Sequence, residues 1–114
     1  MDYIFIEDLK VRGKHGVMDI ERKIEQEFAL SLRMQFDTKA AAASDNLADT
    51  LDYQPIKEMI IKIVKENNFF LIEKLAETIC KEILKDKRVA QIEFTVRKTA
   101  IWDNGIPGIT ITRP

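Results

Sequence analysis

The stretch Ile72-Glu73-Lys74-Leu75-Ala76-Glu77-Thr78-Ile79-Cys80-Lys81-Glu82-Ile83-Leu84 decides the architecture, because it reads as the second of two consecutive helices. Its apolar residues Ile72, Leu75, Ala76, Ile79, Cys80, Ile83 and Leu84 recur at the i, i+3, i+4, i+7 spacing of a helix with one buried face. Glu73 falls at the edge of that stripe beside Ala76 and Cys80, away from Lys74, Thr78, Lys81 and Lys85. It also falls in the first turn, where unpaired N–H groups and the helix dipole favour an anion. The pattern predicts a half-buried carboxylate that either stabilises the helix start or holds a polar ligand.

Upstream, Asp52 suits the N-cap of a first helix, Pro55 is tolerated in its opening turn, and Ile56, Met59, Ile60, Ile63 and Val64 form its stripe. Asn67-Asn68 separates the two helices. Residues 3–12 read as a strand ending at Gly13, and Phe28, Leu30, Leu32, Met34 and Phe36 alternate with polar or small residues in a second. Between them, residues 14–22 read as a loop or irregular edge. The linker Thr38–Thr50 opens with an alanine run of high helix propensity and then meets the turn signal Ser44-Asp45-Asn46. A third strand is predicted over Val89–Lys98. A fourth follows the Gly105, Pro107, Gly108 turn, with Ile109 and Ile111 on one face.

The order β-β-α-α-β-β predicts an α+β fold: one domain over residues 1–114, with a four-stranded antiparallel sheet and both helices on one face. Such a sheet has two open edges. Pairing them with other subunits would close a barrel.

The chain has 114 residues, and 18 basic residues balance 19 acidic ones, so neither nucleic acid nor an anionic membrane is expected as a partner. No run reaches the ~18 apolar residues needed to span a bilayer. The start, Met1-Asp2-Tyr3-Ile4, does not resemble a signal peptide, and a cytoplasmic protein is expected. One histidine, His15, and one cysteine, Cys80, cannot build a histidine- or cysteine-rich zinc site, and the carboxylates lack calcium-loop spacing. A metal-free mechanism without a cofactor is expected, with Cys80 as a packed thiol.

Lys98 continues the even-numbered phase of Ile92, Phe94 and Val96, so its side chain starts on the apolar face of its strand. Desolvation there would favour the neutral amine and a role in proton transfer, although a strand-end lysine can also reach out to water. Tyr53, beside the N-cap, could stack on a flat ligand or simply anchor the helix entry. Glu21, in its loop, reads on its own as solvated surface. The glycines at 13, 16, 105 and 108 match no nucleotide-binding loop, and His15 has no partners for a serine-type triad.

In combination these residues carry more. His15-Gly16-Val17-Met18-Asp19-Ile20-Glu21-Arg22, followed by Ile24-Glu25-Gln26-Glu27-Phe28, resembles the first strand-loop-strand of the dihydroneopterin aldolase family. Ser44-Asp45-Asn46-Leu47-Ala48-Asp49-Thr50-Leu51-Asp52-Tyr53 is similar to that family's second block, and Phe70-Leu71-Ile72-Glu73-Lys74-Leu75-Ala76-Glu77 to its third. Val96-Arg97-Lys98 and Ile106-Pro107-Gly108-Ile109-Thr110-Ile111-Thr112-Arg113 resemble its closing hairpin. The likeness runs in order from about Tyr3 to Arg113.

The resemblance implies the tunnelling fold, a β-β-α-α-β-β subunit joined into a tetrameric ring, with two rings forming an octamer and sites lying between subunits. It implies a retro-aldol cleavage in folate synthesis, from dihydroneopterin to 6-hydroxymethyl-dihydropterin and glycolaldehyde, without Schiff base or metal. By the same resemblance Glu73 holds the pterin 2-amino and N3–H groups, helped by the backbone of Ile72. Tyr53 of a neighbouring subunit stacks on the ring and assists protonation. Lys98 is the principal proton donor and acceptor, and Glu21 contacts the substrate and tunes Lys98. The backbone near Val17 and Leu51 lines the pocket. Thr99 departs from the proline or glutamate common after that lysine, and residues 100–104 match no family pattern. A dihydroneopterin triphosphate epimerase shares most of these features, and a non-catalytic pterin-binding protein is a third reading. The zinc-dependent pyruvoyl-tetrahydropterin synthases of the same fold need three histidines.

Overall fold

The computed structural model describes residues 1–114. Strands β1 (Asp2–Gly13), β2 (Gln26–Phe36), β3 (Gln91–Lys98) and β4 (Gly108–Arg113) form one antiparallel sheet in sequential order. The two long helices, α3 (Tyr53–Glu66) and α4 (Ile72–Ile83), stand between the strand pairs in sequence and pack on one face of the sheet. Phe28, Leu30, Leu32 and Met34 alternate inward from β2, and Ile92, Phe94 and Val96 from β3. They meet Ile60 and Val64 of α3 and Leu75, Ala76, Ile79, Cys80 and Ile83 of α4 in one core. The Asp52 side chain accepts the Gln54 N–H at 3.0 Å, which makes it the N-cap expected for α3.

Three local features differ from the sequence reading. The 14–25 connection contains a five-residue helix, α1 (Asp19–Lys23), and the linker contains α2 (Lys39–Ser44) and a 3-10 turn over Leu47–Asp49. These pieces are too short for apolar periodicity to register. The strand predicted from Val89 begins at Gln91, although Val89 is buried and the Ala90 N–H already reaches the Gln35 carbonyl. Strand β1 also changes phase. Ile4 and Ile6 point to the core, then a bulge between Ile6 and Leu9 hands that face to Leu9 and Val11. Asp8 sits at the bulge with φ 54°, a left-handed conformation that aspartate tolerates, and its N–H donates to Ser31 Oγ at 3.0 Å.

Strands β1 and β4 are the open edges of the sheet. An apolar group around the α1 segment is exposed as well: Val17, Met18, Ile20, Ile24, Phe70 and Leu71. No helix is long and apolar enough to cross a membrane.

Candidate active site

The end of β3 sets the first component. Lys98 pairs in register with Phe28, so its side chain leaves the sheet on the helix side, as the alternation predicts. Its Nζ donates to Glu21 Oε2 at 2.8 Å, with the side chains only 15% and 6% exposed. A buried carboxylate needs more than one donor, and Glu21 has three. The Met18 N–H reaches Oε1 at 3.2 Å, and Gln26 Nε2 approaches Oε2 at 3.5 Å. Burial pushes the Glu21 carboxyl up, but the hydrogen bonds from Lys98, Met18 and Gln26 outweigh it and hold it below the ordinary carboxylate range. Glu21 is therefore a buried partner of Lys98 rather than loop surface.

Gly16 makes room for this pair. A Cβ there would fall on the Glu21 carboxyl carbon, and the backbone at φ 155° is one that side-chain-bearing residues rarely adopt. Gln26 and Gly16 belong to the site's supports but had no role in the sequence reading. Their importance comes from contacts across α1, which no periodicity reveals. Thr99, the departure after Lys98, donates its hydroxyl to Glu27 Oε1 at 2.8 Å, tying the end of β3 to the start of β2. The Lys98 N–H donates to the Pro107 carbonyl at 2.9 Å and closes the base of the 99–106 loop.

Glu73 is on α4 at this same end, but it is exposed, contrary to the half-buried position expected from the stripe. The reason lies in the neighbouring strand. Glu77, one turn further along the same flank, accepts from Arg113 of the edge strand β4 at 2.8 Å, so this flank faces the open edge of the sheet. Nothing in the chain covers it. Ile72 is half-buried against the core and Val17 is 64% exposed.

The chain does not bring Tyr53 to Lys98. Tyr53, 60% exposed, starts α3 at the other end of the molecule, near Arg88, whose guanidinium donates to the Thr50 carbonyl at 3.2 Å just before β3 begins. The eight residues of β3 separate that end from Lys98, roughly 25 Å at strand rise. Leu51 is beside Tyr53 with its side chain in the core, which leaves only its backbone for any ligand. Cys80 is fully buried, with burial and then Glu77 pushing its thiol up to about 12, so it is no nucleophile.

The family model for dihydroneopterin aldolase matches residues 4–112. The chain belongs to the dihydroneopterin aldolase family. A Streptomyces coelicolor dihydroneopterin aldolase is 38% identical over 98 residues, covering 86% of this chain and 82% of that protein. The Escherichia coli dihydroneopterin aldolase is 39% identical over 84 residues, covering 74% and 69%. The crystal structure of Escherichia coli dihydroneopterin aldolase in complex with neopterin superposes with a TM-score of 0.93 at 33% identity, over the whole of both chains. A Bacillus subtilis urate oxidase shares the fold alone, at 13% identity and a TM-score of 0.72 over 97% of this chain and 45% of that one. The aldolase activity of the family, a lyase reaction of the folate pathway on dihydroneopterin, is the activity of this chain.

Proposed function

We propose that the Lys98–Glu21 pair moves the protons of a retro-aldol cleavage of 7,8-dihydroneopterin, in a site that a second copy of the chain completes. The 2′-hydroxyl loses its proton and the C1′–C2′ bond breaks. C2′ leaves as the aldehyde carbon of glycolaldehyde, and the bond's electron pair passes to C1′ and the conjugated ring as far as N5. Reprotonation at C1′ gives 6-hydroxymethyl-7,8-dihydropterin. Lys98 Nζ, acting with a water, gives and takes these protons, and Glu21 fixes its position. Glu73 accepts from the 2-amino and N3–H groups of the pterin, a planar donor pair suited to a carboxylate, beside the backbone of Ile72. Tyr53 of the neighbouring copy stacks on the ring, with the backbone near Val17 and Leu51 at the pocket wall. The observation that carries this reading is the buried 2.8 Å contact of Lys98 with Glu21.

The oligomer is part of the same proposal. The chain forms a single domain, and pairing of the β1 and β4 edges joins subunits into a barrel, a tetrameric ring that doubles to an octamer. This arrangement accounts for the open edges, for the exposed apolar residues around α1, and for the distance between Tyr53 and Lys98. The cytoplasm is the proposed location. Incubation with dihydroneopterin tests the chemistry. Glycolaldehyde release by the wild type and its loss in Lys98→Ala support the aldolase roles. Formation of monapterin without glycolaldehyde would assign an epimerase, and pterin binding without turnover a binding protein.

A further inference from the structure

His15 is the one histidine of the chain, and the proton-transfer scheme does not use it. It is fully buried, yet both ring nitrogens are engaged by backbone groups far away in sequence. The Phe69 N–H donates to Nδ1 at 3.0 Å, so Nδ1 carries no proton. Nε2 stands 2.8 Å from the Val64 carbonyl and must therefore be the protonated nitrogen, donating to it. That carbonyl is in the last turn of α3, where helix geometry leaves acceptors without partners. The next residue adds a second tie, because the Gly16 N–H donates to the Phe69 carbonyl at 3.0 Å. The ring also stacks on Phe69 and meets Phe28 edge-on, both at 5.6 Å. Burial, with the charges of Lys98 and Arg22, keeps the imidazole below its ordinary value against the raising effect of the Val64 contact.

Each end of this clamp leads to one half of the site. On one side, Gly16 is packed on the Glu21 carboxylate that holds Lys98. On the other, Phe69 is followed within three residues by Leu71, the N-cap of α4, and by Ile72, which precedes Glu73. We infer that neutral His15 is a positioning residue: its bond to the Phe69 N–H sets the spacing between the Lys98–Glu21 pair and the Ile72–Glu73 edge, and so the fit of the pterin. The inference rests on the roles proposed above for those four residues. The two nitrogens have separable functions, since Nε2 closes the end of α3 and Nδ1 fixes the start of α4.

Two substitutions separate them. Gln can place an N–H near Nε2 but has no acceptor at Nδ1, whereas Asn can place Oδ1 near Nδ1 but cannot reach Val64. His15→Gln is expected to raise KM for dihydroneopterin about tenfold, the effect of one well-made hydrogen bond, at a smaller cost in melting temperature. His15→Asn is expected to keep KM within about twofold while melting lower. Equal KM values in the two folded variants would overturn the inference, because a purely structural histidine would move stability alone. Amide exchange in the wild type covers the case in which a variant does not fold. The Phe69 amide should be protected in the free protein and more strongly protected with neopterin bound, and exchange at the rate of an open loop would overturn the clamp. Glu73→Gln serves as the control for the reading beneath: unchanged KM there refutes the role of Glu73, whatever His15 does.

Discussion

The two ends of the molecule are finished to different degrees. At the Lys98 end, one chain buries an ion pair, gives its carboxylate three donors, clears space for it at Gly16 and clamps the surrounding segments through His15. At the Tyr53 end, an aromatic ring is exposed to solvent at the first position of α3, while Leu51, two residues earlier, is buried in the core. Glu73 stands between these cases, at the right end of the molecule but on a flank with no cover. On the proposed roles, the groups that hold a proton geometry are assembled within one chain, and those that would enclose a flat ligand await a second surface. Substitutions at the closed end should change both rate and stability, and those at the open groups should change activity alone.

The strongest way to break that contrast is Lys98→Ala. Glycolaldehyde release is expected to fall by roughly 10²–10⁴-fold. Because Glu21 is left buried without its partner, chemical denaturation should also show a loss of about 3 kcal/mol. Tyr53→Asp should lower release about a hundredfold, by removing the stacking ring and setting an unpaired charge against the pterin. Its unfolding free energy should change by less than about 0.5 kcal/mol, because the side chain is exposed. Glu73→Gln should raise KM about tenfold with kcat and melting temperature nearly unchanged. A large stability loss in either of these exposed-residue variants would erase the distinction.

The smallest effect sharpens it from the closed side. Glu21 has its carboxyl held below the ordinary value of 4.5, so its stabilisation is fully present above that pH and is lost as pH falls through the lower folded value. Acid titration of unfolding free energy should show this loss in the wild type. Glu21→Gln, which cannot titrate, should lack it.

Much of the fold was legible because long elements bury one face each. The alternation from Phe28 to Phe36 and the stripes of α3 and α4 specify a sheet covered on one side, and the same alternation put Lys98 on the helix face. The bulge at Asp8 was not legible, since one extra residue shifts phase without changing composition. Glu21 looked like surface because its burial depends on Lys98, Gly16 and Gln26, all brought in by tertiary structure. Glu73 misled in the opposite direction: a stripe edge is buried only if a neighbour covers it, and β4 is an edge strand. The resemblance to the aldolase family named the site groups, and the geometry separates those that one chain assembles from those it leaves apart.

Whether Lys98 of one chain and Tyr53 of another share a site is read out by subunit complementation. Lys98→Ala and Tyr53→Asp chains, carrying different tags, are co-expressed and purified through both tags so that only hybrids remain. If the site is shared, random assembly leaves about a quarter of the sites with both residues intact, and glycolaldehyde release should return to about a quarter of the wild-type value. Hybrids of confirmed mixed composition that release no more glycolaldehyde than the two parents would contradict it.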